Sequence, residues 1–336
     1  MRLSEFDYTL PEELIAQVPL LQRDTSRLLV VDRQKRVIEH RGFPDLLDYI
    51  NEDDVMVFNN TRVVAVRLHG RKETGGGVEV LLMRRDAPGV WRGMVKPGRR
   101  VQVGTRLLFD RGLQAEVVQR TEDGGRVLRF SAESCADELI GLVGETPLPP
   151  YVHRRLEDKQ RYQTVYASSD GSAAAPTAGL HFTPELLERI KAKGIRMAFV
   201  TLHVGIATFR PVRTVNINDH EMHTETFEIS AESAEVINSA KGRIISVGTT
   251  TVRALETAAL GKHKVCPMCG ETRLYITPPY DFKVVDGLVT NFHMPKSTLL
   301  ILVSAFAGVE LVKLAYREAV RERYRFLSFG DAMFLF

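Results

Sequence analysis

The 336-residue chain has only three cysteines, one tryptophan and no apolar run of membrane-spanning length. Three cysteines exclude a disulfide scaffold. Cys266 and Cys269 sit in one CPMCG knuckle, and Cys135 stands apart. A knuckle supplies half of the thiolates a structural zinc site uses. Beyond the nearby His263 no further ligand is evident, so the reading is a reduced, metal-free surface loop. The apolar run 299–303 is far short of a bilayer span, and both of its flanks are polar. The start, MRLSEFDYTLPEE, is acidic where a signal peptide needs an apolar core, so the expected location is cytoplasmic. No GxGxxG and no Walker loop occur, which leaves NAD, FAD and glycine-rich methyltransferase architectures unsupported. No Gly-x-Ser-x-Gly elbow is present, and covalent nucleophilic catalysis has no other support. HExxH spacing is missing too. His220, Glu221, His223 and Glu225 crowd together in DHEMHTETF, but no metal site is expected there, and Glu225 reads as an acid–base or hydrogen-bonding group.

What is present is the composition of a globular protein, 44% hydrophobic and 26% charged, in a chain long enough for two domains. Net charge is only +3, but residues 61–120 carry thirteen Lys or Arg against five Asp or Glu. A basic patch confined to one region is either the footprint of a polyanion partner, the favoured reading, or the solvated surface of a barrel. The same region has its own texture. VAVRLHG, VEVLLMR, VWRGMV, TRLLF, LQAEVV and RVLRF follow one another with glycine, proline or aspartate turns between them and no helix. Six short alternating strands suggest a small antiparallel barrel, with Trp91 in its core. A helix over 134–143 and the extended ETPLPPYVHRR segment lead out of it.

The barrel therefore reads as an insertion. The expected fold is α/β, with a mixed, mostly parallel sheet domain formed by residues 1–62 and 151–336 and a small antiparallel β-barrel domain over 63–150. Outside the barrel, strands are expected at 27–32, 37–40, 55–58, 195–204 and 243–247. Helices are expected from Pro11, over 43–50, after Thr183, and over 231–241, 252–260 and 309–324. The C-terminal FLSFGDAMFLF is too apolar for a loose tail and should pack into the sheet.

The densest chemistry lies in residues 273–308. There a strand-like run around Val284, Val285, Leu288 and Val289 meets Thr290, Asn291, His293, Lys296, Ser297 and Thr298. Ser297 is placed to cap a buried helix over 298–307. Two readings stand: a ligand site at a strand end, or a plain capped connection. Similar polar clusters end other strands, at 59–62, at His203 and at 248–251. If those strands are parallel, the clusters meet at one rim. The sequence GTTT, opening a helix after a strand, can bind an anion through free backbone N–H groups. His181, after the small-residue stretch GSAAAPTAGL, is a further candidate.

Longer motifs add a resemblance. RDTSRLLVVDR (23–33), VFNNTRV (57–63), LPPYVHR (148–154), YQTVYA (162–167) and GSAAAPTAGLHFTPELL (171–187) are similar to the S-adenosylmethionine:tRNA ribosyltransferase-isomerase (QueA) family of queuosine biosynthesis. So are TLHVGIATFRPV (201–212), HEMHTETFEI (220–229), VGTTTVRALE (247–256), DFKVVDGLVTNFHMPKSTLLILVSAFAG (281–308) and YRFLSFGDAM (324–333). The resemblance implies a barrel inserted into an α/β domain. It implies a partner tRNA carrying 7-aminomethyl-7-deazaguanine at the wobble position, to which the ribosyl part of S-adenosylmethionine is moved and rearranged. The implied product is epoxyqueuosine, with adenine and methionine released. S-adenosylmethionine is then a cosubstrate, and no prosthetic group, membrane or partner subunit is expected.

Such chemistry needs a base beside the sulfonium, a proton donor for adenine and a pocket poor in water. The residues expected to serve proton transfer are His203, His293, Glu225 and His181. Gly248, Thr249 and Thr250 would hold the anionic end of S-adenosylmethionine, Tyr280 and Phe282 would pack on the sulfonium or adenine, and Asn291 would bind the same ligand. Lys96, Arg99, Arg100 and Arg154 would meet tRNA phosphates. Three positions depart from the family pattern: Pro279 and Ala207 stand where glycine is usual, and the CPMCG knuckle is not a hallmark. Two rivals remain. A non-catalytic tRNA-binding relative is disfavoured because every reactive motif position is filled. A phosphoribosyltransferase is disfavoured because no acidic phosphoribosyl-binding loop is visible.

Overall fold

The computed structural model describes residues 1–64, 66–122, 124–131, 135–205 and 212–336. Ala207 and the expected start of the 134–143 helix at Ser134 lie outside the described residues. Nineteen strands and six α-helices are labelled in chain order. They begin with β1 (Arg27–Asp32), β2 (Val37–Gly42), β3 (Val55–Asn59) and β4 (Thr61–Val63). The barrel strands are β5 (Val66–Lys72), β6 (Gly77–Ala87), β7 (Val90–Lys96), β8 (Arg106–Phe109), β9 (Gln114–Arg120) and β10 (Arg126–Phe130). Next come α1 (Ala136–Val143), β11 (Ser169–Ser172), α2 (Pro184–Ala192), β12 (Arg196–Leu202), β13 (Glu225–Ile229), α3 (Ala231–Asn238) and β14 (Ile244–Val247). The last are α4 (Thr249–Thr257), β15 (Ala259–Gly261), β16 (Lys264–Val265), β17 (Met268–Thr272), β18 (Gly287–Asn291), α5 (Thr298–Ala307), α6 (Val309–Arg321) and β19 (Ala332–Leu335).

Nine strands form one sheet in the order β17-β13-β12-β3-β14-β18-β19-β1-β2. The four at its centre, β12, β3, β14 and β18, run parallel to one another. Antiparallel pairs lie on either side, and β19 joins β1 in parallel. The central strands VMVFN, IISV and GLVTN are buried at every position, as covered parallel strands require. Alternate side chains feed two cores. Val55 and Val57 face one layer with α3 to α6, while Met56 and Phe58 face the other with Phe43, Phe182, Leu186 and Ile190. The C-terminal β19 lies inside the sheet, paired to β18 on one side and β1 on the other.

Between β4 and β11, which pair in parallel, the chain makes a closed six-stranded antiparallel barrel in the order β10-β7-β6-β5-β8-β9. Its core contains Leu68, Val80, Leu82, Leu107, Val117, Leu128 and Trp91, and Ala136 and Ile140 of α1 pack against it. The Trp91 indole N–H donates to Asp137 at 2.8 Å, so its one polar atom is satisfied. At one end, the buried guanidinium of Arg126 donates to the carbonyls of Gly98, Val101, Gly124 and Gly125. That holds the turn carrying Arg99 and Arg100.

Three elements differ from expectation in type or extent. The helix expected from Pro11 is a single 3-10 turn, Glu12–Leu14. The next residue, Ile15, bridges to Phe326, and Pro19 disfavours helix for Val18. Phe43–Tyr49 is likewise 3-10 rather than α. The strand expected around 284–289 begins only at Gly287. The amides of Lys283, Val284 and Val285 cannot join the ladder, because they donate to the carboxylate of Glu256 on α4 at 3.0, 3.0 and 3.1 Å.

Glu256 is buried, so this triple acceptor pins the entry to β18 against α4. Glu256→Ala would leave buried donors unpaired and should cost about 3 kcal/mol of unfolding free energy, measured by urea denaturation. Glu256→Gln should cost less, because the amide oxygen still accepts.

Candidate active site

The polar clusters at the ends of β12, β3, β14 and β18 do meet, because those four strands are adjacent and parallel. Two of the four clusters are spent on joining the strand ends. The Asn59 amide donates to Leu202 O at 3.0 Å and Thr250 Oγ1 at 3.2 Å, and its oxygen accepts from Thr61 N and Leu202 N. Thr201 Oγ1 donates to Asn60 Oδ1 at 2.7 Å. His203 Nδ1 is 2.7 Å from Thr61 Oγ1, and its ring lies against Gly171. A Cβ at Gly171 would sit 2.7 Å from that ring, and φ there is +148°, so glycine is required on both counts.

The other two clusters face a cavity of about 380 Å³. Gly248, Thr249 and Thr250 form one wall, and Thr290, Asn291 and His293 another. Ala175, Pro176 and Ala178 from the small-residue stretch, and Tyr151, Leu327 and Ser328 from distant segments, complete much of the lining. Gly248 takes φ +94°, which turns the chain from β14 into α4 with no side chain capping the helix. The first-turn amides of α4 therefore open on the cavity wall with their positive dipole end.

Asn291 ends β18, and its side chain is fixed from two sides. Its amide nitrogen is 3.3 Å from Leu327 O and 3.1 Å from His181 Nε2. A carbonyl can only accept, so the NH₂ must face Leu327. His181 Nε2 then accepts as well, which places the imidazole proton on Nδ1, donated to Ser26 Oγ at 2.8 Å. His181 is buried, stacked on Phe43 with centroids 4.9 Å apart, and does not line the cavity. Burial, with Arg325 and Arg23 nearby, lowers its pKa to about 3, so it stays neutral. The remaining Asn291 atom, Oδ1, is buried with no partner, in a residue that lines the cavity. Leu327 holds φ +69°, a strained setting for a leucine, and it is tied there by Phe292 O and Gly330 N.

His293 follows two residues later. Its Nε2 is 2.9 Å from Thr290 Oγ1, its backbone N–H donates to Tyr316 Oη at 3.0 Å, and its carbonyl accepts from Tyr8 Oη at 2.5 Å. Burial lowers its pKa to about 3. The loop after it is held by Lys296, whose N–H reaches Phe6 O and whose ammonium pairs with Asp7 at 2.6 Å. Ser297 then caps α5 by accepting from Leu300 N at 3.2 Å. The strand, polar box and capped helix are thus both a connection and one wall of the cavity.

A family model described as "Queuosine biosynthesis protein" matches residues 3–335. The chain belongs to that family. It is also similar to the crystal structure of an S-adenosylmethionine tRNA ribosyltransferase from Thermotoga maritima. The two share 41% identity over 99% of this chain and 100% of that one, with a TM-score of 0.55.

Within this queuosine biosynthesis fold, the expected site residues divide. Gly248, Thr249, Thr250, Asn291 and His293 come together on the cavity. His181 stands behind Asn291, and His203 stands behind the 171–178 stretch, half-buried and with its pKa lowered by that burial. Glu225 is buried in an ion pair with Arg253 and accepts the Gly205 N–H at 2.9 Å. Tyr280 and Phe282 are outside the lining. They pack edge-to-face on each other at 4.8 Å, Phe282 also packs on Phe306, and Tyr280 is raised to about 12 by burial and Glu256. Lys96, Arg99, Arg100 and Arg154 are exposed. Arg154 lines a separate groove of about 520 Å³ with Arg67, Glu145 and Arg155, between the barrel and the 148–159 segment. Tyr151, Leu327 and Ser328 were missed. They lie inside the motifs LPPYVHR and YRFLSFGDAM, but apolar or hydroxyl side chains there carried no chemical signal of their own. Among the described residues, no group of three or more His, Cys, Asp or Glu is placed to hold a metal ion.

The two buried histidines predict how stability follows pH. Each has a folded pKa of about 3, below the unfolded value of 6.5, so only the unfolded chain takes up protons between them. Their contribution is complete above pH 6.5 and is lost as pH falls toward 3. Urea unfolding free energies should drop by about 1.4 kcal/mol per pH unit for each histidine across that window. His181→Asn should remove one share of that slope.

Proposed function

We propose that this protein transfers and isomerises the ribosyl part of S-adenosylmethionine onto the aminomethyl group of 7-aminomethyl-7-deazaguanine at the wobble position of tRNA, giving epoxyqueuosine-tRNA, adenine and methionine. One observation carries the reading. A largely apolar cavity of about 380 Å³ brings an uncapped helix N-terminus, an unpartnered amide oxygen and an imidazole to one strand rim, in a chain of the queuosine biosynthesis family. That volume is in the range of small-molecule sites. The apolar lining suits a sulfonium intermediate that water must not reach. The α4 N-terminus is the natural contact for the methionine carboxylate. Asn291 Oδ1 is an acceptor without a donor, and it suits an exocyclic amine of adenine or of the tRNA base. His293 is the one imidazole on the cavity wall among the described residues. Being neutral, it has a lone pair to accept the proton between sulfonium and ribose, though as a weak base. The protein acts as a monomer in the cytoplasm on this reading, with no prosthetic group.

The tRNA would lie across the barrel and the groove beside it. Lys96, Arg99 and Arg100 cluster on one exposed turn that Arg126 holds from inside, and Arg154 lines the groove. Phosphate contacts of this kind position a nucleic acid without reading its sequence.

The deciding assay mixes the protein with S-adenosylmethionine and tRNA bearing 7-aminomethyl-7-deazaguanine, and follows adenine release together with a mass gain on the tRNA. Binding without release favours the non-catalytic relative. His293→Ala should lower turnover by about a hundredfold or more. Loss of less than about tenfold in both His203→Ala and His293→Ala would sink a catalytic role for either. Arg99→Gln with Arg100→Gln should weaken tRNA binding and reduce the slope of log affinity against log salt by about 2, read by filter binding across a salt series.

A further inference from the structure

A second, smaller chamber of about 20 Å³ opens beside the cavity, sharing Thr249, Thr250 and Leu299 with it. Arg253 and Tyr275 complete its polar lining. Arg253 follows Thr249 by four residues, so both lie on the same face of the nine-residue helix α4. Arg253 is 4% exposed, and its guanidinium is only partly used. Nε donates to Leu274 O at 3.0 Å, Nη1 pairs with Glu225, and Nη2 is buried with no partner. The Tyr275 hydroxyl is also buried without a partner. Thr251 Oγ1 turns back to Val247 O and Thr250 Oγ1 takes the Asn59 amide, so neither hydroxyl caps the helix.

Guanidinium cannot shed its charge, and a buried donor left unpaired is costly. A structural clamp from Glu225 to Leu274 would need only Nε and Nη1. Arg253 with its spare Nη2, Tyr275 with its spare phenol, and the uncapped first residues Thr249 and Thr250 of α4 all line one small space. A space of that volume admits only a small group such as a carboxylate and excludes a purine. We propose that Arg253, with the N-terminus of α4, binds the α-carboxylate of the methionine part of S-adenosylmethionine, leaving the nucleoside part to the large cavity. The amino-acid head is a zwitterion, so it brings no net charge of its own into the chamber. Arg253 is then a binding residue. The assignment rests on the S-adenosylmethionine reading above and adds where that ligand's head lies.

The test compares three ligands on the full-length protein by calorimetry: S-adenosylmethionine, its decarboxylated form, and 5′-methylthioadenosine, which lacks the whole head. On the unaltered protein, loss of the carboxylate should weaken binding by about 10- to 100-fold, the worth of hydrogen bonds to a charged group. Arg253→Lys keeps a cation for Glu225 but cannot serve both partners. It should weaken S-adenosylmethionine by a similar factor and leave 5′-methylthioadenosine unchanged, with thermal unfolding of the free variant reporting that it is folded. Equal binding of S-adenosylmethionine and its decarboxylated form by the unaltered protein overturns the proposal without any variant. So does an Arg253→Lys that weakens all three ligands alike, as a purely structural clamp would. A protein that binds none of the three overturns the S-adenosylmethionine reading itself, and the proposal with it.

Discussion

Burial of polar groups at the rim of the central sheet is the constraint on which the site depends. Asn59, Thr61, Thr250, Asn291 and His293 are all nearly inaccessible, and each buried donor or acceptor must find a partner or carry a penalty. Most of them find one another. Asn59 joins β3 to β12 and α4, His203 joins Thr61, and His181 orients Asn291. Among the described residues that line the two adjacent spaces, three buried atoms do not find a partner: Asn291 Oδ1, in the lining of the large one, and Arg253 Nη2 and the Tyr275 hydroxyl, in residues that line the small one. The rim is therefore a scaffold whose satisfied bonds hold a small unsatisfied set in place.

Rigidity behind that set comes from several parts of the chain. The N-terminal segment reaches the 293–296 loop through Tyr8, Asp7 and Phe6. The C-terminal segment folds over Asn291 through Leu327 and is anchored by Asp331, which accepts the amides of Arg27 and Arg325. Glu256 fixes the approach to β18. In the barrel, Arg126 does the same for a turn that presents cations outward. Glu256, Asp331 and Arg126 are each a buried charged group that accepts from, or donates to, several backbone groups at once. Such clusters of bonds restrict a loop more than any single contact.

Much of this was legible beforehand. Six alternating segments with turn residues between them foretold the barrel, since strand period and turn chemistry are local properties. The capped helix at Ser297 and the apolar strands around residues 57 and 245 were equally plain. The convergence of the four strand-end clusters followed once the strands were assumed parallel. Element ends were less legible. Nothing local to Val284 and Val285 says that a glutamate far back on α4 takes their amides, and nothing local to PEELIAQ says that Ile15 pairs with Phe326.

Within the site, residue type alone ranked the histidines together, and only packing separated them. His293 faces the cavity, His181 supports Asn291 from behind, and His203 lies against Gly171. Tyr280 and Phe282 had the right faces for a sulfonium but pack on each other and on Phe306. Arg253 carried no signal in GTTTVRALE, because an arginine on a helix is ordinary until its surroundings are known. By itself the sequence determined the family, the barrel, the parallel core and the positions of polar clusters, all of which rest on local periodicity and motif. The tertiary structure alone decided which buried polar atoms lack partners. That is a property of distant segments brought together, and it has no trace in the spacing of residues along the chain.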